Sequence, residues 1–310
     1  MTQVEEYRVF CKVEKDIPIF SKDWYLDSVC GEDNWNVSLV KKGGKIVASL
    51  PYYIKKKFIF TISVLPIHVQ TLGIYIKYPK GQKYEKRLSY EKEIITILIE
   101  QLPKVDYFEQ SFHYSFRNWL PLYWKGYKQT TLYTYVIEDI SNIDKVINNF
   151  SNGKRRDIKK AENIVEVKFD LGAEEFYLHH KKSLEKQNKK IAYTFESFNT
   201  LYQNSYLHNA GRTIYAIDND GNIHGAIFFI WDNQSGYYLT NSVEPDFRSS
   251  GSMALLVKNI LEFLSTKTKK FDFEGSMIEA VEKSYRQFGT TQQAYFNIKK
   301  VNSKFLKLLI

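Results

Sequence analysis

Hydrophobic and polar residues alternate over much of the first half of the chain, which predicts a strand-rich region. The stretch WNVSLVKKGGKIVASLPYYI predicts two strands joined by a tight turn at Gly43-Gly44. Shorter apolar runs follow at residues 58–65 and 71–76. The segment SYEKEIITILIEQL has apolar residues at helical spacing, and Pro103 ends the helix that it predicts. Two further strands are expected in VDYFEQSF and TTLYTYVI.

The second half opens with a polar segment, residues 139–160, that predicts two helices separated near Ser151-Asn152-Gly153. Two more helices are expected at residues 173–187 and 195–209. The stretch RTIYAIDNDGNIHGAIFFIWDNQSGYYLTNSV predicts an antiparallel meander of three strands. Its turns are expected at Asp220-Gly221 and Ser235-Gly236.

The last part of the chain predicts helix, strand, helix and strand in that order. After the loop EPDFRSSG comes a helix whose inward stripe comprises Met253, Leu256, Val257, Ile260 and Leu264. The strand KKFDFEG follows, and a helix at residues 278–288 is expected next. The buried stripe of that helix comprises Ile278, Val281, Tyr285 and Phe288. The final strand is expected in QAYFNIKK.

The two halves end alike, in helix, strand, short segment and strand. Phe108-Glu109-Gln110-Ser111 stands in the first half where Phe273-Glu274-Gly275-Ser276 stands in the second. We interpret this as two copies of one α/β domain. Residues 1–139 form a degenerate copy, and residues 140–310 form the copy that carries the site. Chance similarity between two aromatic-rich strands is the alternative explanation.

Three stretches of the second half carry a family resemblance: NGKRRDIKKAENIVEV, YYLTNSVEPDFRSSGSMALL and FDFEGSMIEAVEKSYRQFG. Together with the order of elements, they resemble the GNAT acyltransferase domain. Two such domains in tandem resemble the Fem-type aminoacyltransferases and the FemAB-like, BioF2-type acyltransferases. The resemblance implies an α/β (α+β) fold with mixed, mostly antiparallel sheets and flanking helices. It also implies acyl or aminoacyl transfer to an amine of a cell-envelope precursor, either a peptidoglycan peptide or an amino sugar.

In GNAT enzymes, a turn of the pattern Arg/Gln-x-x-Gly-x-Gly/Ala binds the pyrophosphate of acetyl-CoA at a helix N-terminus. By this resemblance, Arg248, Ser250, Gly251 and Ser252 are candidate donor-binding residues. Met253 departs from the pattern, because the family has a small residue there. The donor therefore stays open between acyl-CoA and aminoacyl-tRNA, each a substrate and neither a tightly bound cofactor. A well-capped helix start is the alternative that involves no ligand.

Two carboxylates stand on the strand before the last helix. Residues two apart in a strand share a face, so Phe271 and Phe273 are expected on one face and Asp272 and Glu274 on the other. In the GNAT arrangement, donor and acceptor meet where this strand splays from its neighbour. Glu274 and Asp272 are therefore candidate catalytic residues: a carboxylate here can accept a proton from the attacking amine, directly or through water, or it can hold the acceptor's ammonium. Pairing with a nearby cation or with backbone N–H groups is the structural alternative.

Further polar residues around this strand are candidate substrate-binding groups. Tyr238 and Asn241 end the strand before the loop, and Ser276 is expected to cap the next helix. Arg286 can reach an acceptor's phosphate or carboxylate, although Glu282 stands four residues earlier and can pair with it instead. For Tyr238, burial in a strand is the commoner alternative.

The segment GKRRDIKK concentrates positive charge on one predicted helix. Lys154, Arg155 and Arg156 are candidate contacts for phosphate, and 155/159 and 156/160 form two basic rows. The partners this predicts are a small-molecule or lipid-linked acceptor that bears phosphate, or tRNA. A solvated charged face is the alternative. The chain's 44 basic and 35 acidic residues, a net charge of +9, favour anionic partners in the same way.

The remaining composition excludes several classes of protein. The two cysteines and six histidines have no metal-ligand spacing, so we expect no metal site and a reducing compartment. Residues 1–10 have no apolar core and do not resemble a signal peptide. The longest apolar stretch, residues 58–69, is too short to cross a bilayer. We therefore expect a cytoplasmic protein, free or at the inner membrane surface.

A second function of a different class fits the same sequence. Because Met253 breaks the phosphate-binding pattern, the chain can be a catalytically silent, basic binding module that retains the GNAT fold. Turnover with any acyl donor separates this hypothesis from an acyltransferase.

Overall fold

The computed structural model describes residues 1–308 and divides the chain into two units. Unit 1 comprises Met1–Leu132 and Ala294–Ile310, and unit 2 comprises Tyr133–Gln293. The expected boundary between residues 139 and 140 lies close to the observed division after Leu132. The expected second domain, 140–310, differs at its other end, because the C-terminal segment belongs to unit 1.

Unit 1 combines a mixed sheet with helices. Its helices are α1 (Gln3–Val13), α2 (Asp23–Cys30), α3 (Tyr84–Glu100) and α4 (Leu120–Trp124). Its strands are β1 (Trp35–Lys42), β2 (Lys45–Lys57), β3 (Phe60–Ser63), β4 (Tyr75–Ile76), β5 (Tyr107–Phe112) and the start of β6 (Lys128–Ile137). Lys42 pairs with Lys45, so Gly43 and Gly44 form the expected two-residue turn, both with positive φ.

Unit 2 contains helices α5 (Ile143–Asn148), α6 (Asn152–Ala161), α7 (Ala173–Glu185), α8 (Phe195–Leu207), α9 (Ser252–Leu264) and α10 (Glu279–Arg286). Its strands are β7 (Glu166–Phe169), β8 (Gly211–Ile217), β9 (Ile223–Trp231), β10 (Ser235–Val243), β11 (Lys270–Asp272) and the start of β12 (Thr291–Val301). The expected break between α5 and α6 is present, and Ser151 caps α6 by accepting a hydrogen bond from the Lys154 N–H at 3.3 Å.

The sheet of unit 2 runs in the order β6-β11-β10-β9-β8-β7. Strands β8, β9 and β10 form the expected antiparallel meander, and β11 lies parallel to β10. The end of β6 pairs antiparallel with the other side of β11. In unit 1, the order is β1-β2-β3-β5-β12, with β4 paired to β2. The sheets are therefore mixed and mostly antiparallel, and they are flanked by helices, as expected.

The last strands of the two halves are exchanged. Strand β6 closes the first half of the sequence, yet its end pairs with β11 of unit 2. Strand β12 closes the second half, yet residues from 296 onward pair with β5 of unit 1. This exchange explains why the C-terminal segment groups with unit 1.

The core of unit 2 lies between the sheet and α9. The expected apolar stripe of α9 is buried at Leu256, Val257, Ile260 and Leu264, and Met253 packs against the same cluster. Phe271 and Phe273 of the β11 segment lie in this core too, on the face that the two-residue alternation predicts. Burial of this stripe fixes α9, and with it the turn that precedes the helix.

Two local expectations were wrong. The turn between β9 and β10 comprises residues 232–234 and not Ser235-Gly236, because the Asp232 carboxylate accepts hydrogen bonds from the backbone N–H groups of Gln234 and Ser235 at 2.8 and 2.9 Å. Ile278 does not belong to a buried stripe: it precedes α10 and is 66% exposed, whereas Phe288 is buried.

Among residues 1–308, no helix has the length and apolar character needed to cross a membrane.

Candidate active site

Asp272 lies at the end of β11 in the interior of unit 2. Only 1% of the residue is exposed. The Thr134 hydroxyl of β6 donates a hydrogen bond to its Oδ1, and the Glu274 backbone N–H donates to the same oxygen at 2.8 Å. Burial raises the pKa of Asp272 to about 6, although both hydrogen bonds favour the charged form. Asp272 therefore titrates near neutral pH, unlike an exposed aspartate.

Glu274 follows β11 with an unusual backbone. Its φ of +60° lies in the left-handed region, so the alternation of faces along the strand stops at Phe273. Its Oε1 atom is buried and accepts no hydrogen bond from residues 1–308. Burial, and then the nearby charge of Asp272, raises the pKa of Glu274 well above its usual range. A buried carboxyl oxygen without a partner is costly, and it is available to an incoming polar group.

Gly275 lies against the backbone of β6. Its φ is +69°, and a Cβ at this position would lie 2.2 Å from the carbonyl oxygen of Tyr133 and 2.8 Å from the Cα of Thr134. Only glycine fits such a close backbone approach. The expected turn after Glu274 is therefore present, and the neighbouring strand requires it.

Aromatic side chains surround the carboxylates. The ring of Tyr285 lies 5.0 Å from the ring of Phe273 and 6.0 Å from that of Tyr238. Burial raises the pKa of Tyr285, and the charges of Glu274 and Asp272 raise it further. Burial likewise raises the pKa of Tyr238. Both phenols therefore stay protonated, and that of Tyr285, which lies within range of both carboxylate charges, can donate a hydrogen bond there.

The other candidate substrate-binding residues lie apart from this cluster or have local partners. Asn241 is half-buried in β10 and pairs with Ile227 of β9. The Ser276 hydroxyl accepts a hydrogen bond from the Ile278 N–H at 3.0 Å, as expected for a cap. Arg286 is exposed, and its Nε lies 3.6 Å from Oε1 of Glu282. This is the surface ion pair named above as the alternative to substrate binding.

The turn before α9 is covered by α6. Gly251 has a φ of +85°, and a Cβ there would lie 2.3 Å from the Asp157 carbonyl oxygen. The Ser252 N–H donates to Ser250 Oγ at 3.2 Å, and both serines are buried. Backbone atoms of α6 therefore lie beside the glycine, and no side chain fits at residue 251.

The side chains around this turn also have protein partners. Arg248 donates a hydrogen bond to Gln187 Oε1 at 3.0 Å, and the Lys160 ammonium donates to the Ser249 carbonyl at 2.7 Å. The sulfur of Met253 packs towards Gly225 of β9, so its side chain points into the core and away from the turn.

The basic residues of α6 divide between two environments. Arg155 and Arg156 line a cavity of about 720 Å³ together with Lys159, Lys258 and Glu162. Lys154 does not line it: its ammonium donates to Ser284 Oγ at 3.1 Å and lies 4.5 Å from the Phe288 ring. Burial lowers the pKa of Lys154. The positive charge offered to a ligand therefore comes from Arg155, Arg156 and Lys159, because the Lys258 ammonium lies 2.8 Å from the Glu162 carboxylate and is paired with it.

Two residues next to Asp272 and Glu274, namely Thr134 and Tyr285, were not predicted from the sequence as functional residues. Thr134 contacts Asp272 from a strand distant in sequence, so no spacing rule reveals it. Tyr285 stands on an apolar helical stripe that includes Phe288, but such a stripe predicts only that the residue is buried and not that it lies near a reactive group.

Comparison with known proteins identifies the fold. No protein-family model matches the chain, and the curated proteins contain no significant match. Among solved structures, the chain is similar to FemX, with a TM-score of 0.70 at 12% identity over 100% of this chain and 98% of that chain. This degree of identity shows similarity of fold alone.

Two other solved structures have related folds. One is the C-terminal DUF2156 domain of a putative lysylphosphatidylglycerol synthetase from Agrobacterium fabrum, with a TM-score of 0.58, 10% identity, and coverage of 99% of this chain and 94% of that one. The other is a tandem GNAT protein from the clavulanic acid biosynthesis pathway, with a TM-score of 0.52, 8% identity, and coverage of 96% and 94%. The Fem-type, tandem GNAT-like fold is therefore confirmed.

We predict that Asp272 makes stability depend on pH. Because the pKa of Asp272 is raised from 3.8 to about 6 in the folded protein, the residue contributes to the free energy of unfolding at low pH. This contribution is lost as the pH rises through about 6. Asp272→Asn keeps both hydrogen bonds without the charge. Relative to wild type, the variant should gain on the order of 3 kcal/mol of unfolding free energy between acidic and neutral pH. Urea unfolding across that range measures this; parallel curves would contradict it.

We also predict that Gly251 is required for packing of α6. Gly251→Ala should lower the unfolding free energy by about 2–4 kcal/mol, because it adds overpacking to the cost of a left-handed alanine. Gly221→Ala is the matched control: its φ is +84°, but a Cβ there meets nothing within 4 Å. That change should cost only about 1 kcal/mol. Equal losses in urea unfolding would show that α6 does not restrict residue 251.

Proposed function

We propose that this protein transfers an acyl or aminoacyl group to an amine, with Glu274 as the proton acceptor. The observation that carries the proposal is the carboxyl group of Glu274, whose buried Oε1 has no hydrogen-bond donor among residues 1–308. A carboxyl with a raised pKa is a stronger base than an exposed one once it is ionised. The similarity of fold to FemX and to a tandem GNAT protein supports the same class of chemistry.

The reaction is a direct displacement at the carbonyl carbon. The acceptor's ammonium gives a proton to the Glu274 carboxylate, and the amine nitrogen attacks the carbonyl carbon of the donor. A C–N bond forms, the bond from that carbon to the leaving oxygen or sulfur breaks, and the leaving group takes up the second proton, which the nitrogen loses as it becomes an amide. Asp272 holds the Glu274 backbone N–H and so positions the carboxylate. Positioning of the two reactants contributes the larger part of the rate.

The donor that fits best is an ester of the aminoacyl-tRNA type. The turn before α9 is filled by α6, which disfavours an acyl-CoA bound through its pyrophosphate. The cavity lined by Arg155 and Arg156 supplies positive charge for a phosphate-bearing substrate, whether tRNA or a precursor of the cell envelope. We propose a peptidoglycan peptide or an amino sugar as the acceptor.

A catalytically silent binding module is the second hypothesis. The departure of Met253 from the phosphate-binding pattern, together with the backbone of α6 beside Gly251, favours it. This hypothesis predicts binding of phosphate-bearing ligands without turnover.

We predict that Glu274→Gln lowers kcat by about 100-fold or more with little change in KM, because a general base contributes that much. The rate of wild type should rise with pH as Glu274 loses its proton, and the variant should lose this rise. The assay offers aminoacyl-tRNA or acetyl-CoA with a lysine-containing peptide or an amino sugar nucleotide. Glu279→Gln, an exposed glutamate of α10, is the control and should stay within about twofold of wild type.

The outcomes of this assay separate the hypotheses. Full activity of Glu274→Gln would remove Glu274 from the reaction. Turnover with acetyl-CoA alone would contradict the preference for an ester donor. Failure of every donor with wild type, while tRNA still binds, would favour the silent module.

We predict that the double variant Arg155→Glu/Arg156→Glu weakens tRNA binding by at least about tenfold and flattens its dependence on salt, because charge-assisted contacts to phosphate are lost. Lys189→Glu/Lys190→Glu makes the same change of charge at an exposed segment away from the cavity lining and is the control. Fluorescence anisotropy over a range of salt concentrations measures both. Equal losses of tRNA affinity in the two variants would show that the effect comes from the change in net charge and not from the cavity.

A further inference from the structure

An apolar patch lies at the tip of the hairpin formed by β2 and β3. Phe58 and Ile59 form its turn and are 90% and 85% exposed. Lys57 pairs with Phe60, which fixes these two residues at the tip. Phe58 has a φ of +55°, a backbone conformation that asparagine or glycine adopts more readily than phenylalanine. A turn that served only to connect two strands would gain nothing from a bulky apolar residue at this position.

The C-terminal segment adds to the same patch. The ring of Phe305 stacks on the ring of Phe60 with centroids 6.1 Å apart. Phe305 and Leu308 are themselves 58% and 84% exposed. Two segments far apart in sequence thus meet at the Phe60–Phe305 stack. We call the exposed apolar residues next to this stack in the two segments, Phe58, Ile59, Phe305 and Leu308, the hairpin-tip patch. Apolar side chains gathered in this way mark an interaction surface more strongly than single exposed ones do.

The two segments that form the patch are rich in positive charge. Five exposed lysines stand within three residues of its apolar residues in the sequence: Lys55, Lys56, Lys57, Lys304 and Lys307. Within residues 1–308, none of the five forms a salt bridge. The carboxylate of Asp106, an acid near both segments, accepts a hydrogen bond from the Thr61 N–H at 2.8 Å, and the Asp106 carbonyl accepts one from the Asn302 N–H at 2.9 Å. The lysines are therefore available to an external anion.

We propose that the hairpin-tip patch docks this protein on an anionic lipid bilayer. The apolar side chains enter the interface between headgroups and acyl chains, and the lysines contact headgroup phosphates. Free phosphate would satisfy the lysines but leave the apolar side chains in water. A second copy of the chain would bring two sets of five lysines together, and their repulsion opposes self-association through this patch. The proposal does not depend on the acyl-transfer hypothesis.

Vesicle sedimentation tests the proposal with the full chain. Wild type should sediment with vesicles of phosphatidylcholine and phosphatidylglycerol but not with phosphatidylcholine alone, and added salt should release it. Phe58→Asn/Ile59→Asn should weaken sedimentation by at least about tenfold, because two apolar side chains no longer leave water. Asparagine accepts the left-handed backbone at residue 58, so the fold should be retained. Leu207→Asn changes an exposed apolar residue of α8 and should have no effect.

A fluorescent probe reports insertion directly. Cys11 and Cys30 are buried, and burial raises the pKa of each thiol to about 12, so a new surface cysteine can be labelled selectively. An environment-sensitive dye on Ile59→Cys should shift to shorter wavelength with anionic vesicles, and the same dye on Leu207→Cys should not. Excess soluble glycerophosphate should leave the shift unchanged, which separates a bilayer from free phosphate.

Three results would overturn the proposal: no sedimentation of wild type, equal sedimentation of the Phe58→Asn/Ile59→Asn variant, or equal shifts at residues 59 and 207. Concentration-dependent dimerisation that the Phe58→Asn/Ile59→Asn change abolishes, with no vesicle binding, would assign the patch to self-association instead. Acyl transfer to a soluble acceptor should be unchanged in this variant, so failure here is distinguishable from failure of the proposed function.

Discussion

The close approach of two backbones, at Gly275 and at the start of the unit 2 portion of β6, determines the geometry of the candidate active site. No Cβ fits beside the Tyr133 carbonyl, so residue 275 must be glycine, and the chain turns there through two consecutive residues of positive φ, Glu274 and Gly275. At this turn, Oδ1 of Asp272 accepts hydrogen bonds from the Thr134 hydroxyl and from the Glu274 N–H. The raised pKa values of the two carboxyl groups follow from this enclosure, since burial disfavours their charged forms.

A second glycine shows that the same residue type can serve packing where a motif suggests ligand binding. Gly251 matches the pattern of a phosphate-binding turn, yet the space that it leaves is filled by the backbone of α6. The positive charge that such a turn would supply lies elsewhere, around the cavity lined by Arg155 and Arg156. Helix α6 therefore packs against Gly251 with its backbone and contributes Arg155 and Arg156 to a cavity on another side.

The elements with the strongest periodicity were predicted correctly, and those that depend on distant partners were not. Helices α3, α7, α8 and α9 and the three strands of the β8–β10 meander occur where the apolar spacing indicates, although the turn between β9 and β10 lies earlier than expected. The ends of the units differ from expectation, because β6 and β12 exchange places. Strand exchange leaves no trace in local spacing, since each strand has the same pattern whichever neighbour it pairs with.

The sequence alone determined the order of elements and the faces occupied by Phe271, Phe273 and Asp272, because these follow from local periodicity. The fold class was implied by the resemblance of three sequence stretches to a known family. Tertiary structure decided the environment of each polar group. Burial of the carboxyl groups of Asp272 and Glu274 raises their pKa values. On α6, the Lys154 ammonium packs against the Phe288 ring, whereas Arg155 and Arg156 line a cavity. Neighbouring residues on α6 thus have different environments, because side-chain solvation depends on what packs against a helix and not on the helix's own sequence.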